Sequence, residues 1–154
     1  MAELKDRLRT DLTAAMKARD SLRAGTLRMV LTAVTNAEVA GTEARELSDD
    51  DLIGVLASEG KKRRESAEAF DAGHRPELAE KERAEAAVIA EYLPAQLSDD
   101  EISDLVAQTI EQLGVAGDGM KAMGRVMGAL QSQVKGRADG GVVAAKVKAA
   151  LGAA

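Results

Sequence analysis

The sequence predicts an all-α protein with no sheet: about seven helices, four in an N-terminal helical domain (residues 1–93) and three in a C-terminal bundle (residues 97–154). Three observations carry this. The chain is 45% hydrophobic but only 1% aromatic, so its core draws on Leu, Val, Ile, Met and Ala, which favours helices over a sandwich or barrel. Apolar residues recur at three- and four-residue spacing nearly throughout, and no run alternates strictly enough for a strand. Two segments, Leu47-Ser48-Asp49-Asp50-Asp51 and Leu97-Ser98-Asp99-Asp100-Glu101, set a capping serine ahead of carboxylates that suit the positive end of a helix dipole.

Taken in order, Leu4, Leu8, Leu12 and Met16 form the stripe of a first helix, and a tight corner near Ala18 to Ser21 leads to a second carrying Leu27, Val30, Leu31 and Val34. Gly41 and the polar run to Glu46 interrupt the pattern. Ser48 then opens a third helix that runs to about Ala72, with Gly73 as its C-cap. Pro76 fits the first turn of a fourth, bearing Leu78, Val88, Ile89 and Tyr92, and Pro94 ends it. Ser98 and Glu101 make a capping box for a fifth helix with Ile102, Leu105, Val106, Ile110 and Leu113 inward, and Gly114 stops it. Met120, Met123, Met127, Leu130 and Val134 stripe a sixth helix, ended by Gly136. Asp139 caps a seventh, which uses Val143, Val147 and Leu151. The segment Tyr92-Leu93-Pro94-Ala95-Gln96 lies between two capped helices and is the domain boundary.

Several kinds of chemistry are missing. Without Cys there is no thiolate nucleophile, disulfide or cysteine metal site, and the single His, in a polar connector beside Gly73, supplies neither a histidine cage nor a general base. The glycines between Gly114 and Lys121 have phosphate-loop spacing, but Met120 stands where the lysine belongs and no strand precedes them. No catalytic residue, cofactor or metal is implied. The longest stretch without charge is nine residues, Met29 to Ala37, far below the roughly 20 that span a bilayer. The amino terminus is charged from its third residue, and a cytoplasmic location is the expectation.

Net charge is −5, which on average argues against binding a polyanion. Residues 119–154, however, hold Lys121, Arg125, Lys135, Arg137, Lys146 and Lys148 against Asp139 alone, a local +5, leaving −10 in the rest. Lys121 and Arg125 are four residues apart and share a helix face, and Lys135 and Arg137 flank Gly136. Gly124 and Gly128 give the sixth helix a bare strip that another helix, or a phosphate backbone, can approach. The mid-helix run Lys61-Lys62-Arg63-Arg64 turns about 100° per residue, so its charges cannot face one partner. Lys61 with Glu65 and Arg64 with Glu68 read as pairs on a solvated face, with Lys61 and Arg64 as secondary phosphate contacts. One Phe and one Tyr leave little for stacking bases, so folded RNA held by backbone and shape suits the composition better than single strands.

Segments Lys61-Lys62-Arg63-Arg64-Glu65-Ser66-Ala67-Glu68-Ala69-Phe70, Leu78-Ala79-Glu80-Lys81-Glu82 and Glu91-Tyr92-Leu93-Pro94-Ala95-Gln96-Leu97-Ser98 carry a family likeness. More specific still is Met123-Gly124-Arg125-Val126-Met127-Gly128-Ala129-Leu130 with Lys135-Gly136-Arg137-Ala138-Asp139-Gly140. On these, the chain resembles the GatB/YqeY family in its stand-alone YqeY form over essentially its whole length. The resemblance implies a two-part helical protein whose second part is similar to the tail of the B subunit of the tRNA-dependent amidotransferase. That enzyme amidates Glu-tRNA or Asp-tRNA, and the tail holds tRNA. Lys121, Arg125, Lys135 and Arg137 then become tRNA contacts by resemblance. The subunit's catalytic part has no counterpart in this sequence, so a binding role transfers and carbon-nitrogen ligase activity with glutamine as amide donor is the weakest expectation. The leading expectation is a non-catalytic protein that binds tRNA or other structured RNA, or accompanies an amidotransferase or tRNA synthetase. A helical protein-interaction adaptor is the alternative.

Overall fold

The computed structural model describes residues 3–152, which contain seven α-helices, one 3-10 turn and no strand. The chain divides into two compact units, the first ending at Leu93 and the second starting at Pro94. Among the described residues no helix is long and apolar enough to cross a membrane.

The first unit holds α1 (Glu3–Lys17), α2 (Ser21–Glu38), α3 (Asp49–Ala72) and α4 (Pro76–Ala90). Asp20 caps α2 by accepting the Arg23 N–H at 3.1 Å. Ser48 and Asp51 form a reciprocal capping box at 3.2 Å each way, and the Ser48 backbone N–H, followed by the Ser48 hydroxyl, holds the Asp51 carboxyl below the usual range. The Lys5 ammonium, 2.8 Å away, does the same for Glu38, tying α1 to the end of α2. Leu8, Leu27, Val30, Val34, Leu47, Leu52, Leu56, Val88, Ile89 and Tyr92 close into one core. Each such side chain contributes roughly 1.5–3 kcal/mol by leaving water.

Farther along α3 and α4 the packing thins to alanines: Ala67 and Ala79 are buried between the helices. Here Arg63 reaches from α3 to two carboxylates of α4, Glu82 at 3.2 Å and Glu85 at 3.7 Å, all three side chains being largely buried. The sequence placed Arg63 in a solvated charge run, and only the long-range pairing of α3 with α4 reveals its partners. Of the two pairs expected along α3, Lys61 with Glu65 spans 4.0 Å, and no ion pair joins Arg64 to Glu68.

Tyr92 packs into this core just beyond α4, and its hydroxyl donates to Asp11 Oδ2 while the Arg7 guanidinium lies 4.5 Å over its ring. Burial, followed by the bond to Asp11, pushes the phenol up to about 12. A raised phenol pKa means the folded state holds its proton where the unfolded chain, at about 10, has released it. The contribution to stability is therefore complete below pH 10 and is lost as pH rises toward 12. Because this is the chain's single tyrosine, phenolate absorbance reads it directly. The expected midpoint is near 12 in native protein and near 10 in denaturant, and a native midpoint at 10 would show that Tyr92 is neither buried nor bonded to Asp11.

The second unit holds α5 (Asp99–Leu113), a 3-10 turn (Gly119–Ala122), α6 (Met123–Val134) and α7 (Gly140–Gly152). Ser98 and Glu101 form the second capping box at 3.1 Å each way, which lowers the Glu101 carboxyl pKa. Gly114 ends α5 with φ 66°, a left-handed conformation that needs no side chain accommodated. The core joins Ile102, Val106, Ile110, Val115, Ala122, Val126, Leu130, Val134, Val143, Val147 and Leu151. The 3-10 turn shifts the register ahead of α6. Met120, expected in the apolar stripe, is therefore 46% exposed, and Ala122 takes the buried position.

Candidate nucleic-acid interface

The second unit is not uniformly basic. From Pro94 onward it carries six Lys or Arg against seven Asp or Glu, and α5 alone supplies five of the acids. The positive excess read from residues 119–154 survives as a polarity within the unit: α5 is acidic and free of cations, while α6 and α7 contain no carboxylate.

That polarity consumes two of the six candidate cations. Lys146 donates to Ser103 Oγ at 2.8 Å and pairs with Asp99 at 3.0 Å, so it bridges α7 to α5. Arg137 donates from Nε to the Ala95 carbonyl at 3.0 Å and from Nη1 to the Gln133 carbonyl at 3.3 Å. The Leu97 N–H returns a bond to the Arg137 carbonyl at 2.8 Å, and Gln96 Nε2 donates to Gly136 at 2.7 Å, lacing the entry strap onto the turn after α6. Gly136, φ 71°, permits that turn. Both cations hold the fold together.

Lys121, Arg125, Lys135 and Lys148 are exposed, and their side chains engage no partner among the described residues. On α6 the buried line Val126, Leu130 and Val134 puts Arg125 on the opposite side of the helix, where Gly124, Gly128, Ala129 and Ser132 are also exposed. Lys121, on the 3-10 turn, precedes this face and Lys135 follows it, about 20 Å apart at 1.5 Å per residue. A Cβ at Gly124 or Gly128 would meet nothing within 4 Å. The helix packing expected to cover the strip is thus not made within the described residues, and the strip is open. Lys148 lies on α7, two residues and so about 200° from Lys146.

Of the secondary candidates in the first unit, Arg64 is exposed and its side chain makes no hydrogen bond or ion pair among the described residues, whereas Lys61 is engaged by Glu65 and by contacts beyond that pair. Cations of α1 and α2 are exposed as well. Arg19 and Arg28 have no acid three or four residues away on either side, a signal present in the sequence that the −10 sum concealed. Among the described residues, no three His, Cys, Asp or Glu side chains are grouped to hold a metal ion.

The family model for YqeY-like proteins matches residues 5–151. The chain belongs to the YqeY-like family. This agrees with the GatB/YqeY resemblance drawn from the segments above. Curated relatives are named "Altered inheritance of mitochondria protein 41, mitochondrial". One from Pyrenophora tritici-repentis is 31% identical over 151 residues, covering 96% of this chain and 80% of the relative. Another, from Meyerozyma guilliermondii, is 30% identical over 69% of the chain and 56% of its own length. A third, from Saccharomyces cerevisiae strain YJM789, is 35% identical over 56% of the chain and 46% of the relative. These names correct the expectation of a cytoplasmic location: similar proteins are mitochondrial. Helix periodicity and net charge, from which the sequence was read, do not depend on which compartment holds a YqeY-like chain.

Proposed function

We propose that this YqeY-like protein binds structured RNA of the tRNA type through the open edge of α6, with Lys121, Arg125 and Lys135 on phosphates and the Gly124–Gly128 strip allowing close approach of the backbone. The observation that carries this is a carboxylate-free helix whose exposed side presents small residues between unpartnered cations. Phosphate recognition without aromatic stacking asks for such a surface. Arg137 and Lys146 brace the unit that carries this edge, and Lys148 is on α7. The assignment is to holding RNA, and any amidotransferase or tRNA synthetase would be a neighbour on that RNA.

The test is a titration of labelled tRNA at several salt concentrations. The three α6 phosphate contacts release roughly 0.7–0.9 counterion each, so they should account for a roughly 30-fold fall in affinity between about 50 and 200 mM salt. Replacing Lys121, Arg125 and Lys135 with Gln should remove that share of the dependence. Gly124→Ala with Gly128→Ala should raise helix stability by about 0.5–1 kcal/mol per site yet weaken tRNA binding, because the added methyls occupy the approach strip. Unchanged binding in the charge-removed protein would defeat the proposal. A protein-adaptor reading draws on Met120 and Val142, 46% and 41% exposed in the same unit. It expects no tRNA complex at any salt concentration.

A further inference from the structure

Four cations of the first unit, Arg9, Lys17, Arg19 and Arg28, are exposed, and their side chains make no hydrogen bond or ion pair among the described residues. Arg19 and Arg28 line the same shallow groove, about 350 Å³, at the corner between α1 and α2. Its floor includes the buried Ala15 and Ala24, and Ser21 adds a hydroxyl. The one carboxylate on its wall, Asp20, is already committed: it caps α2 through the Arg23 N–H and lies 3.7 Å from Arg23 Nε. Arg9 lies on α1 seven residues before Met16, another groove residue, hence on nearly the same flank. Arg19 also has φ 58°, a left-handed conformation in which glycine would fit without strain, so the backbone gains nothing from an arginine there.

We propose that this corner is a second phosphate-binding surface, on which the Arg19 and Arg28 guanidinium groups grip RNA backbone. The inference rests on the RNA-binding reading above and extends it to the first unit. Two planar forks beside a hydroxyl match phosphate oxygens. Met16, 52% exposed, is the one large apolar side chain on the groove, so two cations facing no uncommitted carboxylate, rather than apolar area, select the occupant.

Arg19→Gly combined with Arg28→Gln tests it, since glycine suits the positive φ and Arg28 is exposed, so the fold is kept. Equal or higher thermal midpoints verify that. Arg28→Lys, which keeps the charge without the fork, guards against a packing effect and should retain most of the salt dependence. With labelled tRNA, the double variant should bind about tenfold more weakly near 100 mM salt, and its log affinity against log salt should be shallower by about 1–2. If wild-type protein binds tRNA and the double variant matches it in affinity and slope, the proposal is overturned while the α6 reading stands. If wild-type protein binds no tRNA, both fall. If instead polyglutamate binds in a manner that requires Arg19 and Arg28 while tRNA does not, the corner serves an acidic protein and the proposal is again overturned.

Discussion

Arg63→Met is expected to lower the stability of the first unit by about 2–4 kcal/mol, well beyond the 0–1 kcal/mol typical of a surface ion pair. The reason is local. Glu82 and Glu85 lie one turn apart on α4, their side chains only 15% and 13% exposed, and Arg63 is the cation that reaches both from α3. Lys81 approaches Glu85 at 3.9 Å, but its side chain is 65% exposed and screened by water. Removing Arg63 leaves two like charges confined between helices. The arrangement is not ideal even in the native state, since Arg63 Nε and Glu82 Oε2 lie buried without a hydrogen-bond partner. A replacement that removes the charge of the whole group should therefore be tolerated better than removal of the arginine alone. Denaturant unfolding of Arg63→Met, and of Arg63→Met with Glu82→Gln and Glu85→Gln, checks this. The triple variant should recover most of the loss, and equal instability of both would assign the effect to packing of the arginine stem.

Leu130→Ala should be comparably severe in the second unit, at about 2–5 kcal/mol. Leu130 is 1% exposed and shares its core with Val126 and Val134 on α6 and with Val143, Val147 and Leu151 on α7. No aromatic lies in that core, and the flexible Met123 and Met127 packed against it set how far the void can close. A unit of some sixty residues has a total stability of roughly 3–9 kcal/mol at 0.05–0.15 kcal/mol per residue. The substitution thus removes roughly a fifth or more of what holds α5, α6 and α7 together. Amide exchange at the slowest sites of those helices measures it, and a loss below about 1 kcal/mol would show that the cluster is packed too loosely to have a centre.

Local chemistry was legible. Ser48 with Asp51 and Ser98 with Glu101 lie three residues apart and were readable as capping boxes because one turn of helix brings them together. Gly73, Pro76 and Gly114 punctuate for the same reason. The core stripes were readable from their period, except at Met120, where three residues per turn replace 3.6 and the register slips. The candidate site was half legible. That α6 and α7 are basic and α6 bears a glycine strip follows from spacing alone. That Lys146 is spent on Asp99 and Ser103, and Arg137 on Ala95, does not, because those partners lie more than 40 residues away. The compartment was not legible at all.

The amino-acid sequence by itself determined which segments are helices, to within about a turn where they start and stop, and, Met120 apart, which side of each is apolar, since these depend on side-chain chemistry within a turn or two. Only the tertiary structure decided which charges are free. Whether an arginine binds a ligand or braces its own fold depends on whether a carboxylate or carbonyl from a distant segment arrives within about 3 Å, and the Coulomb energy that decides it falls with a separation that spacing along the chain does not reveal.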